Sequence, residues 1–228
     1  MARLHLIRHG QASFGKADYD QLSERGYTQS RVLGEWLQDK HVPTALYRGA
    51  MKRHRQTLEA MSAGFGHPLP AATTLEGFNE FDHRAVIEAL RPEWAEQGVM
   101  ASELAQHPKP ARAFQKVFSD AVQRWISGEY DDDYPETWNR FRERVLTALS
   151  AAMADTDGDL WVVTSGGPIS VVMQSLLGLD DHRALSLNDV IANTSVTQLL
   201  FSGNRRSLAV FNNYAHLEQA SPELITYR

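Results

Sequence analysis

The run Leu160-Trp161-Val162-Val163 is apolar at every position, so a strand through it has to bury both of its faces. A sheet covered on both sides accommodates such a strand. Thr164-Ser165-Gly166-Gly167-Pro168 follows at once and leads into a helical pattern carrying Ile169, Val172, Met173 and Leu176. Strand, glycine-rich turn and helix in that order make an α/β unit. The chain also opens on a strand. Leu4, Leu6 and Ile7 read as a short buried strand that stops at Arg8-His9-Gly10, where a cation, an imidazole and a flexible residue meet. Ligands bind at the carboxyl ends of strands in open α/β sheets. Arg8 can neutralise an anion there, and His9 offers a ring nitrogen that is nucleophilic when neutral. Gly10 is expected to let the backbone turn and to leave room for the imidazole.

Between these two strands the pattern alternates. Ala12 to Gln21 is a polar loop placed to form a pocket wall. Ser23 is a candidate N-cap for a helix to about Lys40, with Val32, Leu33, Trp36 and Leu37 on one face. Ala45-Leu46-Tyr47 reads as a second strand, parallel to the first through a right-handed crossover. A helix over 49–66 then carries Met51, Leu58, Met61 and Phe65 at helical intervals. Its first turn holds Lys52, Arg53, His54 and Arg55, although a helix N-terminus favours anions. An anion between Arg53 and the helix start resolves that conflict, with Lys52 and Arg55 solvated.

Leu75 to Asp82 is a non-helical link carrying Glu76, Glu80 and Asp82. Helical patterns over His83 to about Gln106 and over Pro110 to Gly128 break the alternation, which predicts a helical insertion over the pocket at 83–130. Asp131 to Asp133 are expected to cap a helix beginning near Pro135. Trp138 to Met153 is amphipathic. Two closing strands, Ser195 to Phe201 and Ser207 to Asn212, meet at a Gly203-Asn204 turn. The expected architecture is a three-layer α/β/α sandwich with a mostly parallel central sheet, one domain over 1–228.

Composition removes several functions. The net charge of -5 disfavours nucleic acid as a partner, while leaving room for a local arginine cluster around a small anion. The absence of cysteine excludes disulfides, thiolate catalysis and cysteine-based metal sites. No apolar run is long enough to span a membrane, and no signal peptide is visible, so a cytoplasmic protein is expected. The nine histidines form no HExxH-like pairing, and neither a metal nor another cofactor is expected.

Four stretches thus fall at strand ends or helix starts: RHG, the Arg53 helix, the Glu80 link and TSGG. Their order resembles that of the histidine phosphatase superfamily, the phosphoglycerate-mutase-like proteins. LIRHGQ resembles the family's opening signature, LSERGYTQSRVLGEWL its next helix and AMKRHRQTLEAM its second arginine motif. GFNEF looks like its acidic motif, and WVVTSGGPIS through NTSVTQLLF its closing strands.

The resemblance implies phosphoryl transfer through a phosphohistidine. On it, His9 is the nucleophile, Arg8 and Arg53 hold phosphoryl oxygens, and Glu80 is the general acid and base, with Asp82 and then Glu76 as alternatives. The family usually carries a second histidine where this chain has Ser165, a shorter and neutral group. Ser165 and the amides of Gly166 and Gly167 at a helix start could still bind the oxyanion. His54 and His83 are candidates for the lost imidazole, each weighed against an ordinary packing role. The loop QASFGKADYD lacks the SxWN pattern of the metabolic mutases, which favours a hydrolase.

The expected function is therefore hydrolysis of a small phosphorylated substrate. The alternative is a weak or silent relative that binds a phosphorylated ligand or partner. A serine-hydrolase elbow at Ser165 is disfavoured, because Val163 stands where that motif needs glycine. The pattern leaves the substrate open, and a homo-oligomer is compatible with it. His107, Lys109, Arg112 and Trp94 are expected to solvate helices rather than line a pocket, and His216 to be structural.

Overall fold

Leu160–Thr164 is buried at all five positions and lies inside the sheet. The computed structural model describes residues 2–13, 20–39, 42–203 and 205–227. In chain order it contains β1 (Ala2–Arg8), α1 (Glu24–Leu37), β2 (Ala45–Arg48), α2 (Lys52–Phe65) and β3 (Ala72–Thr74). Then come α3 (His83–Leu90), α4 (Val99–Ala105), α5 (Pro110–Ser127) and α6 (Trp138–Ala154). The chain closes with β4 (Leu160–Thr164), α7 (Gly166–Leu177), α8 (Asp181–Asn188), β5 (Val196–Ser202), β6 (Arg205–Asn213) and α9 (Ala215–Ala220).

Among the described residues the sheet has six strands in the order β3-β2-β4-β1-β5-β6. β1, β2, β3 and β4 run parallel, whereas β5 is antiparallel to β1 and β6 to β5. This is the mostly parallel α/β sandwich that the sequence predicts. Ile7, Leu46, Trp161, Val163 and Val196 project from the sheet onto Leu33, Leu37, Met61 and Phe65 of α1 and α2, making one buried cluster. The register sets Arg8 beside Thr164, so the carboxyl ends of the two central strands lie side by side.

The chain divides into two compact units, Met1–Glu80 with Arg144–Arg228, and Phe81–Glu143. The sheet belongs to the first. The second holds the helices expected over 83–130 and an aromatic core of its own, in which Phe81 and Trp138 lie 4.7 and 5.2 Å from Trp125.

Several local expectations change. The helix expected from His83 to about Gln106 is three pieces: α3, a 3₁₀ turn at Pro92–Ala95, and α4. Pro92 removes an amide donor, and Gly98 turns the chain at φ 85°. α6 starts at Trp138 rather than near Pro135, and Thr137 Oγ1 accepts from Arg140 N at 3.2 Å. The aspartate run does not cap it: Asp133 pairs with Arg124. β3 and α8 escape sequence reading altogether. β3 is three half-buried or exposed residues at a sheet edge, with no apolar alternation to reveal it. Six residues of the expected pocket-wall loop, 14–19, lie outside the described residues, as does most of the stretch that separates hydrolase from mutase.

Candidate active site

β1 delivers Arg8 and His9 to its carboxyl end. His9 N donates to Thr164 O at 2.9 Å, and the chain leaves the sheet through Gly10. A Cβ at Gly10 would lie 2.4 Å from Gly26 O, and one at Gly26 would lie 2.2 Å from Gln11 O. Gly10 is therefore needed for the close approach of α1, not for imidazole room. Behind the imidazole, Asn193 Nδ2 donates to His9 O at 3.1 Å. Thr194 holds a left-handed φ of 59°, strained for a β-branched residue, while its amide reaches Arg8 O and His9 O. Its hydroxyl is hydrogen bonded to His216 Nε2 at 3.0 Å, which gives His216 the structural place expected of it.

The hydrogen bonds of His9 assign its tautomer. Nδ1 lies 2.7 Å from Gly10 O, and a carbonyl only accepts, so Nδ1 carries the proton. Arg53 Nε donates to Nε2 at 3.2 Å, so Nε2 presents its lone pair. Burial, followed by the cations Arg53 and Arg8, holds the imidazole well below its ordinary pKa, with the Gly10 bond opposing. His9 is a neutral, buried base whose free nitrogen faces a guanidinium.

Arg53 comes from the first turn of α2 and is 3% exposed. At this helix start the chain supplies a carboxylate of its own, Asp20. Asp20 Oδ1 accepts from Arg53 Nη1 and Oδ2 from the Lys52 amide, each at 2.8 Å. Nothing in the sequence marks Asp20 for this role. Arg55 is solvated and pairs with Glu59 at 2.6 Å. Arg8 is buried as well; its Nη1 donates to Ile191 O and, at 3.0 Å, to Tyr227 O.

Glu80 is 9% exposed, and its Oε2 accepts from Gly167 N at 3.1 Å, at the first turn of α7. Arg144 of α6 fastens the preceding link by donating to Gly77 O, Asn79 O and Glu80 O at 3.0, 2.8 and 3.3 Å. The alternatives to Glu80 fare differently. Asp82 caps α3, accepting from Arg84 N and Ala85 N, and Glu76 is exposed.

Ser165 is fully buried, and its Oγ is hydrogen bonded to His54 Nε2 at 2.8 Å. His54 is buried too, its ring 5.7 Å from that of His9. Sequence reasoning treats His54 as packing because nothing in an α2 pattern reveals which residue its ring meets. His83 sits instead among Phe81 and Phe118, at ring separations of 4.2 and 5.6 Å. Gly166 lies close against other groups: a Cβ there would be 1.9 Å from Asn188 Oδ1 and 3.7 Å from Arg8 Cζ. Trp94 is buried, its Nε1 donating to Glu103 Oε2 at 2.8 Å, while His107, Lys109 and Arg112 are exposed. Among the described residues, no group of three or more histidines and carboxylates could hold a metal ion. No described helix is long and apolar enough to cross a membrane.

A buried imidazole unprotonated at Nε2, two buried arginines, a buried carboxylate and a helix start thus lie at the ends of β1 and β4. The family model of the histidine phosphatase superfamily (branch 1) matches residues 4–214, and the chain belongs to that family. Its fold is similar to that of a phosphoglycerate mutase from Bacillus anthracis, at 16% identity over 96% of each chain and a TM-score of 0.65. A phosphoserine phosphatase from Entamoeba histolytica is similar at 16% identity, with 95% of this chain and 100% of that one covered, and a TM-score of 0.63. A mycobacterial glucosyl-3-phosphoglycerate phosphatase gives 21% identity, coverage of 93% and 99%, and a TM-score of 0.60. No curated protein matches the chain.

Proposed function

We propose that the protein hydrolyses a small phosphomonoester through a phosphohistidine on His9. Family membership supports a phosphatase- or mutase-type activity. The observation that carries the finer reading is the His9 tautomer: a proton fixed on Nδ1, and the Nε2 lone pair turned toward Arg53.

In the first step Nε2 attacks phosphorus, the P–N bond forms and the ester P–O bond breaks. The Glu80 carboxyl gives its proton to the departing oxygen. In the second step the Glu80 carboxylate takes a proton from water, whose oxygen displaces His9 and frees inorganic phosphate. Arg53 moves its hydrogen bond from His9 to a phosphoryl oxygen, and Arg8, Ser165 and the Gly166 amide complete the oxyanion cradle. Two structural neighbours are named for phosphomonoester substrates, phosphoserine and glucosyl-3-phosphoglycerate, which supports hydrolysis. We read Phe81–Glu143 as an insertion in a single family domain, and the protein as cytoplasmic.

The test is hydrolysis of p-nitrophenyl phosphate by wild type and His9→Ala. Turnover that needs His9 upholds the reading, and turnover surviving in His9→Ala sinks it. The neutral Ser165–His54 pair favours a second reading, a silent binder of phosphorylated ligands. Ligand binding without turnover over a broad panel of phosphomonoesters would establish that one.

A further inference from the structure

Ser165 occupies the N-cap position of α7 in extended conformation, φ -117° and ψ 172°, yet makes no side-chain cap bond. A serine at such a position ordinarily accepts from an amide of the helix it precedes. Here the hydroxyl turns away to His54 Nε2, contributed by α2, and the Gly167 amide goes to Glu80 instead. Gly49 makes the room: a Cβ there would lie 2.3 Å from His54 Nδ1. The start of α7 thus forgoes its ordinary side-chain cap to join a serine and an imidazole, both fully buried, with the imidazole 5.7 Å from the His9 ring.

We propose that His54 and Ser165 form a donor relay, in which His54 orients the Ser165 hydroxyl toward an oxygen of the phosphoryl group. This rests on the reading of the His9 pocket as a phosphoryl site. A hydroxyl has one proton. When that proton goes to the oxyanion, Oγ is left as an acceptor, and His54 completes it from Nε2–H. The anion therefore selects the form of His54 protonated at Nε2, in which the hydroxyl is aimed at the anion. Burial, followed by Arg53 and Arg48, holds His54 well below its ordinary pKa, so the relay works with a neutral ring, and among the described residues Nδ1 makes no hydrogen bond that would hold the proton away from Nε2. No bond is made or broken within it. His54 is a positioning residue that acts through Ser165.

The test is calorimetric affinity of the full chain for orthovanadate and inorganic phosphate, which needs no turnover. Ser165→Ala, His54→Ala and His54→Gln would be compared with wild type, alone and combined, with circular dichroism to check folding. Ser165→Ala and His54→Ala are each expected to weaken vanadate binding about tenfold to a hundredfold. The double variant is expected to be no weaker than either single one, and His54→Gln, which keeps an N–H near the Nε2 position, to recover part of the loss. Should His54→Ala fail to fold, Ser165→Ala and His54→Gln carry the comparison. Folded variants that bind like wild type, losses that multiply, or a wild type that binds neither anion would overturn the relay. Pair-dependent binding without His9-dependent turnover would uphold the relay and sink the hydrolysis reading. His9-dependent turnover with vanadate affinity indifferent to both residues would do the reverse.

Discussion

His9 is held neutral by its surroundings, and that has a consequence in pH. Because burial and two cations keep its pKa well below the ordinary 6.5, the proposed nucleophile stays unprotonated through mildly acidic conditions. The acidic limb of kcat/KM that reports His9 is expected below pH 6.5; a limb at or above that value would contradict the lowered pKa. Asp20 offers a second test. It holds Arg53 at 2.8 Å, so Asp20→Asn is expected to change KM more than kcat, since it alters the guanidinium proposed to receive the substrate anion. An equal fall in both kcat and kcat/KM would argue against that role. At this scale the sequence was legible where chemistry sits on a motif: His9 and Arg53 stand where RHG and the cationic helix start put them. Asp20 was illegible and His54 legible only as one of two candidate imidazoles, because each meets a partner far along the chain that only folding brings to it.

At the scale of elements, the site depends on how closely neighbouring segments approach. Gly10→Ala would push a Cβ against the Gly26 carbonyl, and a loss of about 1–3 kcal/mol in urea unfolding is expected. Unchanged stability would mean that the β1–α1 approach is slack. Arg144 binds three carbonyls of the Glu80 link, those of Gly77, Asn79 and Glu80, a geometry that the single ammonium of lysine cannot reproduce. Arg144→Lys is expected to lower kcat by about ten- to a hundredfold through a displaced carboxylate. Wild-type kcat in that variant would show that the link holds itself. The long periodic elements were legible, α1, α2, α6 and β4 among them, because one apolar face or an unbroken apolar run identifies each. β3 and the break between α3 and α4 were not: a three-residue edge strand has no pattern, and Pro92 and Gly98 interrupt a helix without erasing its periodicity.

For the whole molecule, the buried histidines tie stability to acid. Burial lowers His216 to about 4, while in the unfolded chain it titrates near 6.5. The unfolded state therefore binds more protons between those values, and stability, full above 6.5, drains away as pH falls toward 4. His216 alone accounts for about 3 kcal/mol of that loss. His9 and His54, lowered in the same direction, add to it. Denaturant unfolding at pH 7 and pH 4.5 should show a marked drop in wild type and a smaller one in His216→Gln; identical drops would remove His216 from the explanation. The alternation of the longer strands and helices, and with it a mostly parallel sheet, was the most legible feature at this scale, although β3 and α8 were missed, since hydrophobic patterning and right-handed crossovers leave few topologies open.

The most direct measurement is to quench the protein with substrate in alkali and locate the phosphoryl group by mass spectrometry. A phosphoryl group on His9, stable to base, lost in acid and absent from His9→Ala, is the expected result. Turnover with no covalent phosphate on His9, or with phosphate on another residue, would contradict the phosphohistidine account.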